Sequence, residues 1–149
     1  GLDKESKAMF GRLMIGICLA WAGSSAAMAD DHQTASPKGA AVYFIAPQDG
    51  ATVSNPVTVV FGLKGMGVAP AGVEKAKTGH HHLLIDTPLE DYENAVPADE
   101  MHRHFGGGQT ETTVTLSPGK HTLQLVLGDH NHIPHKPPVQ SQRITITAK

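Results

Sequence analysis

Cysteine is almost absent: Cys18 is the only one in 149 residues. It sits inside residues 9–29, MFGRLMIGICLAWAGSSAAMA, which have the layout of a secretory signal. Lys4, Lys7 and Arg12 supply the positive end, Leu13 to Trp21 the apolar stretch, and Ala27-Met28-Ala29 the small-residue cleavage site. Cleavage there removes Cys18, so the mature chain would hold no disulfide and no thiolate ligand. Long apolar runs are missing too. The stretch from Leu13 to Trp21 falls well short of the roughly 20 residues that span a bilayer, and the polar DDHQTASPKG follows at once. Lipidation at Cys18 is disfavoured because Ile17 stands where a small residue is expected.

These absences set the expected organisation. Residues 1–29 are a signal peptide with upstream residues, 30–40 a flexible lead-in, and 41–149 one domain. The expected location is periplasmic or secreted, with no membrane contact after cleavage. Positive charge is also scarce. Residues 30–149 carry seven Lys and two Arg against twelve Asp and Glu, a net −3 with histidine neutral. That balance argues against nucleic acid or an anionic membrane as partner. No P-loop Lys-Ser/Thr follows Gly106-Gly107-Gly108, and no G-x-S-x-G elbow occurs. The chain is therefore read as a non-enzyme.

A long helical period is missing as well; what is present alternates every second residue between turn residues. Strands are expected at 42–46, 56–63, 80–86, 112–116, 121–127 and 139–147. A turn, Pro47-Gln48-Asp49-Gly50, separates the first two. A long excursion at 87–111 has a helical turn expected near Pro97–Met101. Short strands without βαβ alternation point to an all-β fold, an antiparallel immunoglobulin-like β-sandwich, with the excursion in place of one strand.

Histidine is what the sequence has in excess, ten of them, all after residue 29. In the expected topology, the start of strand 80–86, the HRH before strand 112–116 and the loop GDHNHIPHKPP gather at one pole. Eight histidines would sit there, with His32 and His121 left out as ordinary hydrogen-bonded residues. His80-x-His82, His102-x-His104 and His130-x-His132 repeat one spacing. On extended backbone that spacing puts two imidazoles on one side, roughly 6–7 Å apart at Cα, while His81 points the other way. The candidate metal ligands are His80, His82, His102, His104, His130, His132 and His135, with Asp129 in support. Cu(II) or Zn(II) is the suspected ion, since both take imidazole nitrogen readily. Asp86, Asp129 and Glu111 are candidates to orient the free ring nitrogens. Met66 and Met101 are read as packing or surface residues.

GHHHLLID, HFGGGQTET, PGKHTLQLVLGD and HNHIPHKPP resemble a family of small exported bacterial proteins of the DUF4399 type, over about residues 42–147. The resemblance implies an envelope protein and no established activity. More loosely, FIAPQDGATVSNPVTVVF is similar to the opening of periplasmic copper-resistance carriers, which implies a cupredoxin-like or copper-carrier-like sandwich. Those carriers ligate metal through a His at the mature start, whereas here Asp30-Asp31-His32 stands there. Two functions follow as expectations: a metal carrier or buffer, with an envelope protein as a further partner, or a structural and interaction module braced by a His/Asp hydrogen-bond network. A metal-dependent hydrolase with Glu111 as base is a third, weaker reading.

Overall fold

In the computed structural model, which describes residues 32–149, the alternation becomes nine strands and no helix among those residues. The signal-like segment, Cys18, Asp30 and Asp31 lie outside the described residues. The strands are β1 (Ala41–Ala46), β2 (Thr52–Val53), β3 (Val57–Lys64), β4 (Gly67–Val68), β5 (Thr78–Ile85), β6 (His102–His104), β7 (Glu111–Val114), β8 (Gly119–Gly128) and β9 (Ile144–Ala148). One sheet has the order β1-β3-β7. The other runs β2-β9-β8-β5-β4, with β6 also paired to β5.

β-Branched and leucine side chains at every second position turn the two sheets toward each other. Val57, Val59 and Phe61 of β3 meet Leu83 and Ile85 of β5 and Leu123, Leu125 and Leu127 of β8 in one apolar core. Two sheets closing over a shared core make a β-sandwich. The central strand β5 is buried on both faces. Its outer face carries Leu84, which packs with Val126 of β8 under Leu89, Tyr92 and Val96 of the excursion. The excursion is thus a cover for the outer sheet.

Local chemistry explains where the chain departs from the expected pattern. The helical turn near Pro97–Met101 does not form. Instead Asp99 Oδ1 accepts the N–H groups of Met101 and His102 at 3.0 and 2.8 Å, a side-chain-capped turn that feeds β6. The last strand starts at Ile144, not Val139, because Ser141 intervenes. Its Oγ accepts the Leu125 N–H at 2.9 Å, substituting for a backbone carbonyl.

The lead-in at 32–40 is tied down. Ala35 bridges to Lys136, Thr34 Oγ1 donates to Asp129 Oδ2 at 2.8 Å, and Ser36 Oγ donates to the Pro137 carbonyl at 2.7 Å. Its small polar residues find backbone and carboxylate partners in the loop after β8. They are held despite burying little apolar surface.

Candidate metal centre

β5 and β8 run antiparallel with His80 opposite Gly128 and His82 opposite Val126. The pleat sends His80 and His82 outward and His81 inward. β6 lies on the other edge of β5 with His104 opposite His82, so His104 shares the outer face. After Gly128 the chain turns back over that face. Asp129 organises the turn: Oδ1 accepts the N–H groups of Asn131 and Ile133 at 2.8 and 3.0 Å, and Oδ2 takes the Thr34 hydroxyl. The turn closes with His132 in the left-handed region at φ 64°. That backbone is uncommon for a non-glycine residue, although histidine is among those that adopt it more often.

The result is a convergence of ring nitrogens. His80 Nε2 lies 2.9 Å from His82 Nε2 and 2.9 Å from His132 Nδ1. One nitrogen from each of the three falls within 4.8 Å of the others, so the trio could hold a metal ion. His80 and His82 are fully buried, and His132 is half-buried. A neutral imidazole nitrogen is either a donor or an acceptor, not both. His80 Nε2 faces two nitrogens at once, so hydrogen bonding alone accounts poorly for the arrangement. A cation that takes a lone pair from each ring would fit the same arrangement.

Electrostatics favours the lone pairs. Burial, followed by the neighbouring imidazoles, lowers His80 to about 4 and His82 to about 2. His132 is lowered too, by burial and then by His104. At neutral pH these rings are uncharged, so each keeps one lone-pair nitrogen and an incoming ion need not drive off the second proton of an imidazolium. Asp129 acts in the opposite sense on His80 and His132, as a nearby negative charge would.

Gly128 is the residue that spacing alone does not reveal. A Cβ there would lie 2.6 Å from His82 Nε2 and 3.0 Å from its Cδ2, so only glycine admits the ring at this depth. The one signal for it in sequence is a glycine directly after the apolar run Leu125-Val126-Leu127.

Of the other expected ligands, His104 flanks the trio, with its ring centroid 5.2 Å from that of His132 but no nitrogen in the converging group, and the rest are not brought to this point. His102 Nδ1 bonds Asp99 Oδ1 at 2.8 Å, at the far end of β6. His130 Nε2 lies 3.0 Å from the Asn131 amide and 3.9 Å from Glu74. Their pairing with His104 and His132 presumed extended backbone, and the turn at 129–132 is not extended. His135 is fully buried, with neither ring nitrogen in a hydrogen bond; the Leu127 and Thr78 backbone lies near enough to favour its charged form, yet burial dominates and lowers it. The Asp129 carboxylate is spent on the backbone and Thr34. Asp86 bonds His121 at 2.6 Å, and Glu111 sits on β7 in the other sheet, so neither orients the trio. His32 bonds the Glu93 carbonyl. Met66 packs against the core and Met101 is exposed.

A family model described as "Domain of unknown function (DUF4399)" matches residues 59–149. The chain belongs to the DUF4399 family. No curated protein and no solved structure matches it. All three strands and the loop that carry the imidazoles of this DUF4399 domain fall inside the matched stretch, whereas β1 and β2 precede it.

Proposed function

We propose that this DUF4399 domain is an exported metal-binding protein, a carrier or buffer for Cu(II) or Zn(II) and not a catalyst. His80, His82 and His132 would hold the ion. The observation that carries this reading is the single nitrogen of His80 facing two other ring nitrogens at 2.9 Å. The lowered proton affinity of the same rings supports it, and the absence of thiolate after Cys18 favours borderline ions. The signal-like residues 9–29 are the support for export to the periplasm or beyond. The sheet order β1-β3-β7 over β9-β8-β5 supports an immunoglobulin-like arrangement.

Titration of metal-free protein with Cu(II) and Zn(II), followed by calorimetry, tests the proposal. One ion per chain is expected, and His80→Ala should weaken binding by about a hundredfold or more. Wild-type affinity no tighter than that of free imidazole would sink it.

A second reading has its own support. His102 with Asp99 and His121 with Asp86 are paired as a purely structural network would pair them. If that logic extended to the buried trio, the domain would be an interaction module of the envelope. His80→Ala would then lower the melting temperature equally with and without metal.

A further inference from the structure

His104 lies beside the converging trio without joining it. The ring centroids of His80, His82, His104 and His132 are separated by 4.6, 4.8, 5.2, 5.8, 6.0 and 6.4 Å. For any four points, the mean square distance from their common centre is one sixteenth of the summed squared separations. The four rings therefore surround one point at an r.m.s. distance of about 3.4 Å. An imidazole bound through nitrogen places its centroid roughly 3.2 Å from the metal, a bond of about 2.0–2.1 Å plus a ring radius of about 1.1 Å. Four rings already encircle a metal-sized centre.

The four are mounted differently. His80 and His82 are buried on the central strand β5, and His132 is fixed by the turn that Asp129 organises. His104 is exposed, and its nitrogens stay outside the group that falls within 4.8 Å. It rides on the three-residue β6, followed at once by Phe105 and three glycines, of which Gly108 has φ 85°. Its ring lies over Gly106, where a Cβ would come within 3.2 Å. It also borders an open groove with Asp99, Arg103 and Phe105.

We propose that His104 is the exchangeable fourth ligand, closing over an ion held by His80, His82 and His132 and giving way to a donor from an acceptor protein. The inference rests on the metal reading and deepens it. The step is ligand substitution without redox change. The bond from metal to the His104 nitrogen breaks as a bond from metal to an imidazole or thiolate of the acceptor forms. Departure of an exposed ligand opens a coordination position toward solvent while buried His80 and His82 and half-buried His132 retain the ion. The acceptor enters along the groove beside β6.

The test uses the full chain loaded with Cu(II). Paramagnetic resonance counts the bound nitrogens, and handover to a multidentate chelator gives a release rate. His104→Ala should still take one Cu(II) per chain, show one nitrogen fewer, regain the wild-type spectrum when imidazole is added, and release metal about tenfold faster or more. His104→Gln should behave in the same way, and both should melt like the wild type when metal-free, because the side chain is exposed. An unchanged spectrum and rate in His104→Ala would overturn the proposal while leaving the metal site standing. Loss of binding as complete as in His80→Ala would also overturn it, by making His104 integral. A wild type that takes up neither Cu(II) nor Zn(II) would sink both readings, and one that takes up Zn(II) but no Cu(II) would overturn this proposal as stated for copper.

Discussion

His81 and His82 are neighbours on β5 and equally hidden from solvent, yet they face opposite worlds. His82 turns outward and meets two more imidazoles beside Gly128. His81 turns inward among Phe61 and the core leucines, 5.0 Å from the Phe61 ring, and neither of its nitrogens has a hydrogen-bond partner. Burial lowers both, His81 to about 4 and His82 to about 2. On the inner face desolvation is the only cause; on the outer face the other histidines add to it. Burial makes a histidine neutral. Only company gives it other ring nitrogens to share an ion with.

Acid breaks both faces together, and this is the largest expected effect. In the unfolded chain these rings take a proton near pH 6.5, whereas folded His80 and His81 do so only near 4. Between those values the unfolded state binds more protons, so stability is complete above about pH 7 and falls as pH drops. Each of the two groups contributes on the order of 3 kcal/mol to that loss. His121 opposes the trend weakly: its hydrogen bond to Asp86 raises it, so its contribution is present in acid and fades as pH rises. Urea unfolding of metal-free protein from pH 7.5 to 4 should show a steep decline. A flat profile would mean that these rings keep access to protons in the fold. Cu(II) or Zn(II) at saturation should hold the outer face together to lower pH, because ligand binding adds to stability by mass action.

The outer face alone is broken by Gly128→Ala. The added Cβ would stand 2.6 Å from His82 Nε2, and the ring must leave its place beside His80. Overpacking of this kind costs about 1–3 kcal/mol. Metal affinity should fall by about tenfold to a hundredfold, since displaced supports of a ligand have that effect. Titration of this variant beside wild type measures it. Unchanged affinity would show that His82 is dispensable to the site.

How much of this was legible in the sequence depends on backbone regularity. Alternation on β5 separated His80 and His82 from His81, and strand order brought three distant segments to one pole. Both follow from the pleat, which is regular. The pairing of His130 with His132 failed because Asp129 captures two backbone N–H groups and forces a turn with His132 at positive φ. His102 was lost to the neighbouring Asp99, a local contact that the spacing does not encode. Gly128 was invisible because its role depends on which ring lies across the strand from it. The ordered lead-in was equally hidden, since polar residues such as Thr34 are held by partners about a hundred positions away.

The inner face alone is altered by His81→Leu, the smallest change and the one with the opposite sign. Leucine has a similar volume and no polar atoms, so it removes two unpartnered nitrogens from an apolar core. An unsatisfied buried polar group costs about 1–3 kcal/mol, and the variant should be more stable at neutral pH by up to that amount. It should also lose part of the decline in acid, because one of the groups that titrates across that window is gone. Metal affinity should not move, as the side chain points away from the trio. Thermal melts at pH 7 and 5 together with one Cu(II) titration read all three outcomes. A destabilised variant would show that His81 has a partner in solution, such as a buried water. A variant with weakened metal binding would show that the two faces of β5 are coupled through its backbone, because residue 81 lies between His80 and His82 and any tilt of the strand would move both.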